Sequence, residues 1–561
     1  MRSSLGVAII LLAACSGPKR ATLTLPLEPV AYADTLPIEP PEEREVNEIK
    51  RLLVISVGGE IGYGFSLRRW IGRGHEAVNL TRFDDVVSSA WFEHRIGTGR
   101  LSPQEAARGP TTLGPDTSRT LTVVAGKAEG ISPGFTIRDA RGDRYLVKLD
   151  PKGNLHMASA AGVISGRLFY AAGYNTPEDY IVVFDAARLA VDPEAEITVE
   201  GEDRPMTEED LARVLALTDS LPNGRYLALA SKFVPGRPIG PFFFSGVRRD
   251  DPNDYYHHEY RRELRGLYVV SSWLNHVDMR FANTLDAYID PPGYVRHYLI
   301  DFAATLGSGT IRPHKPREGS EFNFAFWPSV GRVLTLGFYQ HGWEGVEFEE
   351  YHSSLGWFPA ERFEPGSWRA NWPNAAFRWV TPADGYWGAK LVAGFSDEHI
   401  RSAIKEGHLP TEEVERTLAR ILAIRRDKIV RYWYGKVTPI EQPEVRTLEG
   451  PEPALELAFD DLGLKERVWE AGATRYEWML KDVYHQIEAA GRAEAGVGAR
   501  QRITIPLDGL DPDLPGVAGS KATATLRIRA IRGREREGRQ ATVLLRWNGA
   551  AAGYSAVGLR H

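Results

Sequence analysis

Leu274-Asn-His276-Val-Asp278-Met-Arg-Phe-Ala-Asn283 and, further on, His297-Tyr-Leu-Ile-Asp301-Phe302 are the stretches whose reading decides the fold. The first is a polar run with His, Asp and Asn at 276, 278 and 283. The second is an apolar strand ending in a carboxylate and an aromatic ring. Upstream, Arg261 to Trp273 has the make-up of a helix that delivers the chain into the loop at His276. Asp, Asn and His are common loop formers, so the plain reading is a polar turn before a buried strand. A chemical reading needs a partner elsewhere in the chain.

Leu121 to Asp150 offers one. Leu121 to Val124 reads as a strand, Gly126, Gly130 and Gly134 punctuate a loop, and Phe135 to Asp139 resumes as a strand. Arg141-Gly142-Asp143 turns the chain, and Tyr145-Leu-Val-Lys148-Leu149 alternates as a third strand. Glycine lets backbone amides approach a phosphate with no Cβ in the way, although glycine-rich turns most often only connect strands. Lys148 is the less common feature, because an ammonium in an apolar run needs a partner when it is buried. Met157 to Tyr170 reads as a helix stopped by Gly173, and no acidic residue follows in sequence before Glu178. Ile181 to Phe184 is a buried strand, Thr207 caps a helix through Leu217, and Tyr226 to Ala230 is a further strand leaving through Phe233 to Gly236.

At 561 residues the chain exceeds one hydrophobic core and predicts two or three domains. Its net charge of -6 is small and no long basic stripe appears, so nucleic acid is not an expected partner. Met1-Arg2 is followed by an apolar run from Leu5 to Ala14, too short to span a bilayer. It ends in Leu12-Ala-Ala-Cys15, and Cys15 is the only cysteine, which leaves no disulfide or cysteine metal site. Gly17 to about Arg51 is rich in Pro, Glu and Thr and reads as a tether. His257-His258-Glu259 invites a metal reading, but adjacent helical residues point apart and no second ligand pair stands nearby. Half of the fourteen tryptophans fall between Trp327 and Trp387, a density that packs an irregular lobe or, as the alternative, offers a sugar platform. Ser396 and Thr411 begin helices, the second reaching Trp433, with Arg425-Arg-Asp-Lys428 as its solvated face. After Pro439 come a connector with a helix around Trp478 to Ile487 and, from about residue 500, the alternation of a small β-domain.

The N-terminus resembles the lipobox of bacterial lipoproteins, which implies acylation of Cys15 and a lipid-anchored place in the cell envelope, with Ser16 resembling the outer-membrane pattern. The region from Leu121 to Tyr434 resembles atypical protein kinases of the HipA and secretory-pathway types. The resemblance rests on Lys148, His276-Val-Asp278, Asn283 and Asp301-Phe302, in order. It implies an α+β, two-lobed protein-kinase-like fold: signal peptide 1–14, tether 15–51, N-terminal extension 52–120, N-lobe 121–240, C-lobe 241–440, helical connector 441–499 and β-domain 500–561. It also implies a nucleotide, ATP, and Mg2+ or Mn2+. Asp278 would be the base, Asn283 and Asp301 the metal ligands, and Lys148 the phosphate-neutralising cation. Gly126, Gly130 and Gly134 would form the cofactor loop, a hinge near Gly236 would hold the adenine, and Phe302 would pack beneath Asp301. The acceptor would be a hydroxyl on a protein, sugar or lipid. Three features depart from the pattern: the helix carries no glutamate, the glycine spacing is irregular, and Ala303 stands where Asp-Phe-Gly has glycine. The competing expectations are a pseudokinase scaffold and a carbohydrate- or envelope-binding lipoprotein.

Overall fold

In the computed structural model, the residues described are 33–46, 52, 54, 75–97, 101–127, 132–199, 201–323, 326–336, 338, 340–348, 351–448, 450, 454–481, 487–506, 523–533, 535–536, 538–549 and 552–561. The chain divides into Met1–Tyr32 and Ala33–His561. The first unit, with Cys15, lies outside the described residues, as does Gly130. Among the described residues no helix is long and apolar enough to cross a membrane.

The fold is mixed α and β, with several sheets. Ser102 opens α1 (Pro103–Arg108) with a capping box to Glu105. A seven-stranded sheet then forms from β1 (Leu121–Gly126), β2 (Gly134–Arg138), β3 (Arg144–Leu149), β4 (Asp179–Phe184), β5 (Leu189–Val199), β6 (Glu202–Pro205) and β7 (Tyr226–Lys232), in the order β4-β7-β3-β2-β1-β5-β6. Its pairs are antiparallel except β1 with β5. Between β3 and β4 runs α2 (Met157–Ala172), which ends at Gly173 with a φ of 119°; α3 (Glu208–Leu215) precedes β7. On β3 the alternation sends Tyr145, Val147 and Leu149 into the core of this sheet, so Leu146 and Lys148 occupy the opposite face.

A short sheet, β10-β9-β8, combines β8 (Arg237–Pro238), β9 (Thr284–Ile289) and β10 (Tyr294–Leu299). It follows α4 (Arg262–Leu274), which is buried along its whole length. The helical core is completed by α7 (Pro382–Ala393), α8 (Asp397–Lys405) and α9 (Glu412–Tyr434), which follow α5 (Phe326–Leu334) and α6 (Ala375–Arg378). Trp357, Trp368 and Trp387 of the tryptophan-rich stretch are buried.

The segment 441–499, expected as a helical connector, is mostly strand. It carries β11 (Ile440–Leu448), β12 (Ala454–Asp461), the single-turn α10 (Leu462–Lys465), β13 (Thr474–Lys481) and β14 (Ile487–Glu494). These join β15 (Arg500–Pro506), β16 (Thr523–Arg532), β17 (Glu535–Arg536), β18 (Ala541–Trp547) and β19 (Tyr554–Arg560) in two sheets around one core. The β-region therefore begins at Ile440, not near residue 500. On β13, Thr474, Tyr476, Trp478 and Leu480 are buried in strict alternation, and pairing on both sides by β14 and β16 fixes a strand where a helix was expected.

Candidate active site

The hairpin of β9 and β10 sets Thr284 opposite Leu299. One residue beyond that pair, the Ile300 N–H donates to the Asn283 carbonyl at 3.0 Å. Residues far apart in sequence, Asn283 and Asp301, are thereby brought to the same end of one hairpin. A support lies behind it. Trp91 stacks on His297, 3.5 Å between ring centroids, and His297 Nδ1 lies 2.7 Å from the Asp286 carboxylate.

Lys148 reaches this end from the other sheet. Its Nζ lies 2.8 Å from Asp301 Oδ1; the lysine side chain is 11% exposed and the aspartate 42%. Asp301 has a φ of 60°, in the left-handed region, which turns the chain sharply between β10 and the buried Phe302. Burial by itself would raise the Asp301 carboxyl, but Lys148 overcomes it, helped by Lys127 and His276, and the net shift is downward. Phe302 stacks on Phe169 of α2, centroids 5.0 Å apart, and meets His276 edge-on at 5.9 Å. The His276 ring is fully buried, and burial pushes its pKa down to about 4. It is thus a neutral packing residue beneath the loop.

Asp278 and Asn283 form the second pair. Asn283 Nδ2 donates to Asp278 Oδ2 at 2.9 Å and to the Asp278 carbonyl at 2.7 Å, which closes the loop on itself and leaves the Asn283 Oδ1 as the oxygen to offer a cation. Burial pushes the Asp278 carboxyl up to about 7; the Asn283 hydrogen bond works against this rise and the nearby negative charge of Asp301 adds to it. The guanidinium of Arg280 stands against the same carboxyl, with Nε 2.9 Å from Asp278 Oδ1. Such a carboxyl is poised to take a proton near neutral pH. The negative charge of Asp301 acts on Asp278, whose loop is held through Asn283 at the same end of the hairpin.

The glycines have local reasons. A Cβ on Gly126 would lie 2.5 Å from Ile197 Cγ1, and one on Gly134 would lie 2.3 Å from the Val147 carbonyl oxygen. Both positions are therefore accounted for by close packing of strands, without a ligand. The histidine pair is equally local. His258 Nε2 lies 2.7 Å from Asp254 Oδ2, and its Nδ1 contacts the Phe243 carbonyl. Among the described residues no group of three or more His, Cys, Asp or Glu side chains is placed to hold a metal.

Four charged residues escape the sequence reading. Lys127 and Arg280 stand at the site itself. Asp179 on β4 is buried, its carboxyl pushed up by burial to about 6 with Lys148 and Arg167 opposing. Arg425 of α9, expected on a solvated face, is 3% exposed. It donates from Nε to the Trp273 carbonyl at 2.9 Å and from Nη2 to the Ser272 carbonyl at 2.6 Å. It thus caps the C-terminus of α4, the helix that delivers the chain into the loop at His276. For Lys127 the available signal was a lysine directly following a strand-ending glycine, and for Asp179 a carboxylate opening an otherwise apolar strand; Arg425, inside a charged run, offered none.

No family model matches the chain, and no curated protein matches it. Among solved structures, the proinflammatory kinase CtkA of Helicobacter pylori is similar at 10% identity and a TM-score of 0.28, over 55% of this chain and 93% of that one.

Proposed function

We propose that this chain is a kinase-like phosphotransferase with a two-lobed, protein-kinase-like body, binding a nucleoside triphosphate such as ATP and acting on a hydroxyl acceptor. The observation that carries the reading is the 2.8 Å pair of Lys148 and Asp301 beside the Asp278–Asn283 pair. An ammonium for phosphate charge, a carboxylate facing it and a second carboxyl beside an amide are parts that phosphoryl transfer uses.

In this reading Lys148 neutralises phosphate charge, and Asp278 orients the acceptor hydroxyl and takes its proton. Asn283 holds Asp278 in place through its amide N–H. Asp301 and the Asn283 Oδ1 are hard oxygen donors, a set that suits Mg2+ or Mn2+ completed by phosphate oxygens. The ion, when bound, supplies charge neutralisation between the phosphates. Catalysis rests on positioning and electrostatics, with no covalent intermediate on the protein. Tethering to the cell envelope through an acylated Cys15 belongs to the same proposal, and loss of membrane association in Cys15→Ala tests it.

Thermal unfolding with ATP, with and without Mg2+, tests the nucleotide. The wild type is expected to be stabilised only when both are present, by about 2.7 kcal/mol at a hundredfold excess over Kd, and Asp301→Ala to lose the shift. An unchanged shift in that variant removes Asp301 from the site. Asp278→Asn is expected to retain the shift and lose transfer. A wild type that shifts but transfers to no protein, sugar or lipid hydroxyl is the pseudokinase of the alternative reading.

A further inference from the structure

A second lysine stands beside the first. Lys127 follows β1, and its side chain crosses the start of β2. A Cβ built on Gly134 would come within 3.3 Å of Lys127 Cδ. Gly134 is the cross-strand partner of Lys148, and directly opposed residues project to the same face of a sheet. The stem of Lys127 therefore runs beside Gly134, over the face on which Lys148 stands.

The head group of Lys127 is held by one residue. Its Nζ donates to the Ser132 carbonyl at 2.7 Å and lies 2.6 Å from Ser132 Oγ; both acceptors are neutral. No carboxylate among the described residues forms an ion pair with it, and the negative charge that acts on it is that of Asp301, already engaged by Lys148. Among the described residues Lys127 thus brings a second ammonium to the face that carries Lys148, with neutral acceptors and no carboxylate of its own. Burial, and then repulsion by Lys148, push the Lys127 amine down to about 8, with Asp301 opposing. Two ammonium groups on one sheet face are stabilised by an anion arriving there.

We propose that Lys127 is a second phosphate-binding residue, which exchanges its Ser132 contacts for the polyphosphate of the nucleotide and with Lys148 forms a two-lysine anion site. The proposal rests on the nucleotide reading above and adds to it that polyphosphate recognition is divided between the end of β1 and β3.

The test compares ATP·Mg2+ with adenosine by calorimetric titration of wild type, Lys127→Met and Lys127→Arg. Lys127→Met is expected to weaken ATP at least tenfold and to leave adenosine unchanged, and Lys127→Arg to restore most of the loss. ATP affinity within twofold of wild type in Lys127→Met overturns the proposal, as does an equal loss for adenosine. A second measurement uses the wild type alone, in case the variants do not fold. Reductive methylation followed by mass spectrometry is expected to label Lys127 less when ATP·Mg2+ or inorganic tripolyphosphate is present; equal labelling overturns the proposal. Wild type that binds no nucleotide removes the underlying reading along with this one, whereas binding that ignores Lys127 removes this one alone.

Discussion

Lys148 is paired with Asp301 and not with an acid from α2, and the reason is room. The face of α2 toward β3 and Phe302 is built from small residues: a Cβ on Gly162 would lie 3.0 Å from Leu229 Cδ2, and one on Gly166 would lie 3.1 Å from Asp179 Oδ2 and 3.5 Å from Phe302. Ser165 Oγ and Thr305 Oγ1, 2.6 Å apart, bind the helix to the segment after Asp301. A glutamate has no space there, and it would bring a second buried carboxylate against Asp179. Gly166→Glu is therefore expected to destabilise by more than about 3 kcal/mol, from overpacking and an unpaired buried charge. Gly166→Ala is expected to stay within about 1 kcal/mol of wild type, because the gain in helix propensity offsets the tight contact. Denaturant unfolding of both variants checks this, and a stable Gly166→Glu protein would show the helix to be farther away than described. The sequence made the missing glutamate legible and, through strand alternation, the odd position of Lys148. It could not reveal that Asp301 takes the glutamate's place, because that contact depends on how the hairpin meets the sheet.

Among elements, α9 shows what charge patterning conceals. Arg425 lies within a run of four charged residues, and three of the four do stay at the surface: Arg426 pairs with Asp397 at 2.7 Å, Asp427 with Arg426, and Lys428 donates to the Glu361 carbonyl at 2.7 Å. Helical periodicity turns Arg425 inward, on the same side as Leu418, Ile421, Leu422 and Ile429. Its guanidinium covers the Phe363 ring at 3.7 Å and satisfies the last carbonyls of α4. Burial pushes its pKa down to about 9, a cost offset in part by the negative end of the α4 dipole. Arg425→Met keeps the volume and removes the cap, leaving the buried Trp273 carbonyl unsatisfied and the Ser272 carbonyl with only the 3.4 Å bond from the Asn275 N–H, so a loss of about 1–3 kcal/mol is expected. Because α4 feeds the loop that carries Asp278, transfer should fall more than nucleotide binding. Equal stability of Arg425→Met, by urea midpoint, would refute the capping role. Helix α9 itself was readable from its 3.6-residue period and Thr411 cap; which of its charges faced inward was not, since four consecutive polar residues carry no period.

At the scale of the whole molecule, the segment 75–97 and the C-terminal β-region meet in one buried ionic cluster. Asp84 lies 2.9 Å from Arg262 and 2.8 Å from His561 Nδ1, while Asp384 lies 2.7 Å from Arg262 and 3.1 Å from Arg265. Arg262 and Arg265 belong to α4, so the cluster fastens the segment around Asp84 and the last residue of the β-region to the helix that leads into the candidate site. No pattern in the sequence could pair residue 84 with residue 561; only the assembled core does. Burial alone would raise the Asp84 carboxyl, but Arg262 and His561 outweigh it and hold the group well below the usual carboxylate range. A carboxyl depressed in the folded state binds fewer protons there than in the unfolded chain. Its stabilisation is thus complete above the unfolded value of about 3.9 and is lost as pH falls below it. The thermal midpoint of the wild type is therefore expected to drop steeply between about pH 4 and pH 2. Asp84→Asn, which keeps the shape but cannot ionise, is expected to start lower at pH 7, since Arg262 loses one of two anions. It should then fall less steeply over the acid range, so that the two profiles converge. Parallel profiles would mean that Asp84 carries no linked proton, and that the segment around it is held to α4 by its apolar contacts alone.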